Sequence, residues 1–361
     1  MRSSALLALG LAPYFIASTL PAQSVCNPVT TTVSITSTIP SSLGYPNSDV
    51  SSGNYEYVSV QGSGQIYTYD ISSGIQLLVG SPYKTPCADP SGMVITTISG
   101  SKVMAVVCYD TGSLLTLTVN ANGSLSALGS VNGLPNAYPG VVLDGTNVYV
   151  PLFGTSSSNG GVAKVSIASP ATPAITATTT LASPTSGQVV SAAYLAIAGG
   201  YIYVTSGSES APLSSSSSIQ VVNEATMTLV GSPLVVPHSP QQIAIQGSVA
   251  YVTIYDAAQL ESINISNPAS LQPLQILTLT VNGQSCHAEP VIVQGTLAYI
   301  GCFAEGIIAR YDVSTPSNIQ QSNLLTGIAY PQRLAIAGSS LLVTSYTSGG
   351  HVYAISLGDF D

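Results

Sequence analysis

The sequence predicts an all-β chain folded as a seven-bladed β-propeller of four-stranded antiparallel blades, and three observations carry that prediction. One apolar strand pattern recurs seven times along the chain, short strands and tight turns fill each interval, and the composition disfavours helices. Hydrophobic residues make up 45% and charged residues only 6%, with 33 Gly, 23 Pro and 20 Tyr. Such a mixture suits pleated strands and turns, whereas helices need Ala, Leu, Glu and Lys in amphipathic stripes.

The recurring segments are YEYVSV (55–60), KVMAVVCY (102–109), NVYVPLF (147–153), YIYVTS (201–206), VAYVTI (249–254), LAYIGC (297–302) and LLVTSY (341–346). Their anchors Val58, Val106, Val150, Val204, Val252, Ile300 and Val343 lie 48, 44, 54, 48, 48 and 43 residues apart. That period fits one four-stranded blade per repeat. A short apolar strand ending in Gly precedes each anchor strand, as in PQQIAIQG (240–247), EPVIVQG (289–295) and PQRLAIAG (331–338). An alternating strand follows, as in QIYTYDIS (65–72) and HVYAISLG (351–358), and QLLVG, LSALG and LQILTLT supply outer strands. The seventh copy stops after its third strand, so TTTVSITST (30–38) is expected to close the ring as its fourth.

Residues 1–22 place Arg2 before the apolar run ALLALGLAPYFIASTL and end on small residues at Ala22, the layout of a secretory leader. Ser24 is an alternative cleavage point. Pro13 interrupts the run, which is short for a membrane span, and no later segment approaches one. The expected organisation is a leader over 1–22 and one propeller domain over 23–361, a monomer that is secreted or held at the cell surface. Loss of Arg2 leaves five basic against fifteen acidic residues. A surface of that sign repels phosphate backbones and anionic lipid, which excludes nucleic acid as a partner. With few carboxylates to protonate, the fold is also expected to tolerate acid.

The YVT strands, the strand ends DIS, NIS and DVS with SNP or STP after them, and the phrases VGSPY and VGSPL resemble the YVTN and LVIVD repeat propellers. The stretch SLLTLTVNANGSLSALGSV (113–131) is similar to the seven-bladed lactonase family, which includes phosphogluconolactonases and carboxymuconate lactonising enzymes. The resemblance implies the fold across nearly the whole mature chain, and a ligand site on the face shared by the loops entering the innermost strands and the turns after the anchor strands. It implies function only weakly, because propellers host binding, scaffolding and catalysis alike.

On the repeat, Cys108 and Cys302 each fall two residues after an anchor, while Cys87 and Cys286 precede Pro90 and Pro290 at the entrances to the first strands of the same blades. The expected disulfides are Cys87–Cys108 and Cys286–Cys302. Zinc is the competing reading, but no CxxC pair exists and no metal is expected. Cys26 is left over, without a good lipobox around it. Asn122 in NGS and Asn264 in NIS are candidate glycan acceptors.

Aligning the first-strand entrances places Tyr45, Tyr138 and Tyr330 at one position, with His238, His287, Glu289, Gln241, Gln242 and Arg333 crowding the same mouth and Asp89 and Tyr194 joining it. The neighbouring turns add Asp110, Glu209, Tyr255, Asp256, Phe303, Glu305 and Tyr346. Aromatic rims with a few polar groups suit a glycan, a lactone-like small molecule or an extracellular protein; Tyr-Pro pairs are also ordinary turn chemistry. If the site is catalytic, His287 or His238 would serve as general acid or base, Glu289 would orient a histidine, and Arg333 would hold a carboxylate or oxyanion. The chain lacks the several arginines and the complete motif of the lactonases, so recognition is the leading expectation and lactone chemistry the alternative. No cofactor is expected: phosphate-loop, dinucleotide and serine-hydrolase motifs are absent from the sequence.

Overall fold

The computed structural model describes residues 37–38, 45–155, 157–186, 188–207, 217–237, 239–347 and 350–360. Its strands form seven antiparallel blades around a ring, spanning 45–84, 90–132, 142–180, 191–235, 240–278, 288–326 and 331–356. The described residues include a single short helix, the 3-10 turn Leu357–Phe360. Each anchor residue lies on the second strand of its blade, and all seven are fully buried. The alternation of each second strand thus drives one side chain into each inter-blade layer.

Tyrosine precedes the anchor in five blades, as Tyr57, Tyr149, Tyr203, Tyr251 and Tyr299, and every one of these rings is buried. Three of their hydroxyls reach the following blade. Tyr149 donates to Glu224 Oε1 at 2.9 Å, Tyr203 to the Ile265 carbonyl at 3.4 Å and Tyr251 to the Val313 carbonyl at 3.4 Å. Each acceptor sits where the next blade's third strand ends, so the repeated Tyr-Val pair is both core filler and inter-blade tether. Hydroxyls one position beyond the anchor make similar links nearer the axis. Ser59 donates toward the Ser91 carbonyl at 3.0 Å and Thr253 toward the Glu289 carbonyl at 2.7 Å, each joining the second strand of one blade to the innermost strand of the next.

The outer strands Leu125–Asn132, Ala174–Thr180, Thr228–Val235, Gln272–Thr278 and Gln320–Thr326 contain no Asp, Glu, Lys or Arg. Uncharged edges invite pairing with other chains. Here each of the five pairs with its neighbour through a register shift, for example between Ala127 and Gly129 and between Arg310 and Tyr311. A bulge twists the edge and breaks its regular ladder, replacing the usual edge charge. In blade 1 the outer strand is only Gln76–Leu77, and Tyr83–Lys84 rejoins the third strand beyond it.

Ring closure follows the expected route: Ser37 pairs with Val352 and Thr38 with His351, making Ser37–Thr38 the outer strand of blade 7. The remainder of the predicted closing strand, the leader over 1–22 and Cys26 lie outside the described residues. At the other terminus Phe360 is buried, its ring 5.2 Å from Tyr299 and 5.9 Å from the Arg310 guanidinium, and its carbonyl accepts from the Asn323 amide. No helix among the described residues is long and apolar enough to cross a membrane.

Candidate functional site at the mouth of the propeller

Both predicted disulfides are formed, Cys87–Cys108 with Cα atoms 6.0 Å apart and Cys286–Cys302 at 4.9 Å. Each fastens a first-strand entrance to the end of the second strand. The adjoining turns then lie against those entrances. The backbone N–H groups of Tyr109, Phe303 and Tyr346 donate to the carbonyls of Asp89, His287 and Tyr330 at 3.0, 2.9 and 2.9 Å. Loops and turns therefore share one face, as expected. The one cluster of potential metal ligands among the described residues is Cys286, Cys302 and Glu305, and the disulfide consumes both sulfurs.

Over blades 5, 6, 7 and 1 the side chains of this face form a continuous arc of rings. Tyr255 lies 5.2 Å from the His287 ring and 6.3 Å from Phe303, and Phe303 lies 5.1 Å from Tyr330 and 6.3 Å from Tyr346. Tyr346 in turn stacks on Tyr45 at 4.8 Å and donates to Gln61 Oε1 at 3.2 Å. Tyr45 is 41% and Tyr330 46% exposed, so ring faces remain open to a ligand. Burial raises the Tyr255 and Tyr346 hydroxyls above the ordinary phenol range, and nearby charge adds to the shift. Glu289 contributes to both, Glu305 and Asp256 to Tyr255, and Asp89 to Tyr346.

His287 is held by Glu305. Its Nδ1 lies 2.6 Å from Glu305 Oε1, and its backbone N–H donates to Oε2 at 3.0 Å. With the proton on Nδ1, Nε2 is the basic nitrogen, and the imidazole side chain is 40% exposed. For His287 the orienting carboxylate is thus Glu305 and not the expected Glu289. Glu289 Oε1 accepts from Gln332 Nε2 at 2.6 Å instead, because the turn carrying Glu305 packs directly against the His287 backbone.

Beneath the arc, the throat is crossed by polar side chains. Arg333 Nη1 donates to Tyr194 Oη and to the Gln332 carbonyl, both at 3.0 Å, with the guanidinium 5.0 Å over the Tyr194 ring. Gln242 Nε2 donates to the same Gln332 carbonyl at 3.3 Å. Tyr194, Gln242 and Arg333 each immediately precede the residue paired with the anchor of their blade. One repeat position thus sends three long side chains toward the axis, and Arg333 spans from blade 7 to blade 4. Arg333 is only 8% exposed, so it does not stand at the rim where a carboxylate-holding cation was expected. Burial alone would lower its pKa, but the Tyr194 hydroxyl, Glu289 and Asp49 more than offset this. Burial pushes the Asp49 carboxyl up to about 6 against the pull of that guanidinium. Burial and the neighbouring Asp49 hold the fully buried Glu56 carboxyl well above its usual range, although Ser51 donates to it.

Tyr138 departs from the predicted alignment with Tyr45 and Tyr330. In blade 3 the pairing moves from Ala137 with Leu152 to Val142 with Tyr149, one residue more of slippage than in blade 7. Tyr138 lies inside that bulge, stacked on Phe153 at 5.4 Å and edge-on to Tyr194 at 5.9 Å. Gln241 is part-exposed at the register position of Glu289 and Gln332. Asp89 Oδ1 accepts from the Gly62 N–H at 2.7 Å, a loop-fixing contact at the rim. His238 and Glu209 lie outside the described residues. Asn122 is exposed in a turn, its Oδ1 accepting from Ser124 Oγ at 2.8 Å, and Asn264 Oδ1 accepts from the Ser266 N–H at 2.9 Å. Sequence reasoning missed Gln332, Phe153 and Asp49, and gave Glu56 no role. Two of these carried a signal: Gln332 shares a repeat column with Gln241 and Glu289, and Phe153 stands three residues after its anchor, as Tyr255, Phe303 and Tyr346 do.

No protein-family model matches the chain, and no curated protein matches it. Among solved structures the chain is similar to hydrazine synthase of Kuenenia stuttgartiensis, with a TM-score of 0.69 at 12% identity over 88% of this chain and 97% of that one. It is similar to the periplasmic gluconolactonase of Pseudomonas aeruginosa, with a TM-score of 0.64 at 16% identity over 82% and 89%. Virginiamycin B lyase of Staphylococcus aureus gives 0.61 at 10% identity over 86% and 95%. At these identities the likeness shows the propeller fold.

Proposed function

We propose that this chain is a secreted propeller that recognises a ring-shaped ligand, a glycan or a lactone-like small molecule, at the mouth formed by blades 5, 6, 7 and 1. The observation that carries this reading is the arc from Tyr255 through Phe303 and Tyr330 to Tyr346 and Tyr45, in which the Tyr330 and Tyr45 rings remain open. Tyrosines held by one another lose little freedom on binding a flat sugar face, and carboxylates beside them accept from its hydroxyls. Two disulfides fit an extracellular or periplasmic setting, which supports reading residues 1–22 as a leader and the YVTN-like repeats as one exported domain. Calorimetric titration of the exported protein against a panel of glycans and lactones tests the reading. Binding that Tyr45→Ala and Tyr330→Ala weaken is expected; no binding across the panel would overturn it.

The His287–Glu305 dyad favours a second reading, lactone opening at the same mouth. His287 Nε2 would take a proton from water as it attacks the lactone carbonyl, Glu305 would stabilise the imidazolium formed, and that imidazolium would return the proton to the ring oxygen as the acyl C–O bond breaks, leaving the hydroxy acid. The gluconolactonase among the structural neighbours supports this chemistry on the same fold. Arg333 is buried below the rim, its Nη1 committed to Tyr194 and Gln332 while its Nη2 has no hydrogen-bond partner among the described residues. Lactone turnover lost in His287→Ala and reduced in Glu305→Gln is the expected result; turnover unchanged in His287→Ala would exclude the dyad.

A further inference from the structure

The seam where the ring closes, between blades 7 and 1, departs from the repeat. The residue two before the anchor is Met104, Val148, Ile202, Ala250, Ala298 or Leu341 in six blades, each fully buried, and the equally buried Glu56 in blade 1. The residue paired with the anchor is Met93, Leu195, Ile243, Val291 or Leu334 in five blades and Asp49 in blade 1. Blade 1 thus sets two carboxyls at core positions, on the side of Val58 that shares a layer with Leu342 and Val352 of blade 7. Little in that layer answers them. Ser51 donates to one oxygen of Glu56, while Glu56 Oε1 and Asp49 Oδ2 are buried without a hydrogen-bond partner among the described residues. Blade 7 faces them with Arg333, whose charge acts on Asp49, and otherwise with Thr344, Leu342, Val352 and alanines; Tyr67 and Tyr69 are the remaining titratable groups of the layer among the described residues. Thr344 Oγ1 also lacks a partner, although Ser59 and Thr253, likewise one residue past the anchor, each donate to the innermost strand of the next blade. A buried carboxyl without donors is held neutral, because its charge would have no compensation in an apolar layer.

The same seam runs under the ring arc, since Tyr45 of blade 1 stacks on Tyr346 of blade 7 at 4.8 Å and Tyr346 donates to Gln61 of blade 1 at 3.2 Å. We infer that this seam is a proton-operated joint: with Asp49 and Glu56 protonated it packs closed and holds the arc together, whereas their ionisation loosens it, parts Tyr45 from Tyr346 and weakens binding of the ring ligand. The inference rests on the ring-ligand reading of the mouth and adds its regulation. Burial raises the Asp49 carboxyl to about 6 and the Glu56 carboxyl well above its usual range. Protons held more tightly in the closed seam than in water stabilise closure at low pH, and that stabilisation fades as pH rises through about 6 and beyond. The Arg333 guanidinium offsets part of the effect at Asp49, so Glu56 carries the larger share.

Hydrogen exchange of the full exported protein, corrected for intrinsic rates, tests the joint at mildly acidic and mildly alkaline pH. Backbone protection of the seam strands Tyr55–Gln61 and Ser340–Ser345 is expected to fall about tenfold on the alkaline side, while that of Asn147–Leu152 in blade 3 holds. Calorimetric titration with the glycan and lactone panel is expected to show at least about fivefold weaker binding over the same interval. Both differences are expected to vanish in an Asp49→Asn, Glu56→Gln variant. Asp49→Leu with Glu56→Met, which places there the residue types of Leu334 and Met104, makes the same test with an apolar seam. Seam protection that does not change with pH, or a change that persists in these variants, overturns the inference while leaving a ring-binding mouth in place. Loss of protection without loss of affinity likewise overturns it. Binding of no panel member at either pH overturns the ring-ligand reading and the regulation with it, whereas the exchange result still decides whether the seam opens.

Discussion

The tyrosines of the inter-blade layer and those of the mouth differ in everything except residue type. Tyr149, Tyr203 and Tyr251 are buried and spend their hydroxyls on the following blade. Tyr45 and Tyr330 keep their rings at the surface, stacked on or edged against other rings. Repeat position, not residue type, therefore separates buried from exposed rings in this molecule. Tyrosine before the anchor is buried, whereas Tyr45 and Tyr330, each before a first-strand proline, are exposed.

The largest effect is expected from Tyr251→Ala, which removes a buried ring together with its tether to Val313. A loss of about 3–5 kcal/mol in denaturant unfolding is expected. Tyr330→Ala, by contrast, is expected to cost no more than about 0.5 kcal/mol. Comparable losses at the two positions would erase the distinction.

Acid response divides interior from rim in the same way. Burial pushes the carboxyl of the 2% exposed Glu261 up to about 7, from an ordinary value of 4.5. A raised folded-state pKa means the fold holds this proton better than the unfolded chain does. Its stabilising contribution is therefore complete below the unfolded value and is lost as pH rises through about 7. Asp49, raised to about 6, acts in the same direction, whereas the exposed turn carboxylates Asp70 and Asp312, with lowered values, oppose it weakly. The expected tolerance of acid thus becomes a gain in stability on acidification from neutrality. Glu261→Gln is expected to stabilise the protein by about 3 kcal/mol at neutral pH, since each tenfold change in proton affinity on folding is worth about 1.4 kcal/mol, and to flatten the rise on acidification. Melting curves at neutral and acidic pH check both parts; a melting temperature that falls on acidification would contradict them.

The smallest effect separates two buried tyrosines. Tyr251→Phe should cost about 1 kcal/mol by stranding the Val313 carbonyl, whereas Tyr57→Phe should be neutral or stabilising because the Tyr57 hydroxyl has no hydrogen-bond partner. Equal destabilisation of the two variants would show that the tethers contribute little.

The repeat made the fold legible because a fixed period pins each residue to a strand and a face. That is why the anchors, both cysteine pairs and the closing strand could be read before any geometry. The site was legible as a face but not as a set of contacts. Glu289 and Glu305 both belong to the mouth, and only the packing of the Phe303 turn on His287 decides which one reaches the histidine. Tyr138 has the same Tyr-Pro signature as Tyr45 and Tyr330, and the bulge that moves it leaves no trace in the pattern. Arg333 and Tyr194 meet across the ring from blades 7 and 4, a contact that no local spacing encodes.

If the ring arc binds the ligand while the inter-blade tyrosines hold the fold, affinity and stability must separate in one experiment. Wild type and a Tyr45→Ala, Tyr330→Ala double variant are titrated with the same sugar and lactone panel, and their melting temperatures are read beside the affinities. At least a tenfold loss of affinity, about 1.4 kcal/mol, is expected with the melting temperature nearly unchanged. Full affinity in the double variant would contradict the division of roles between the two sets of tyrosines.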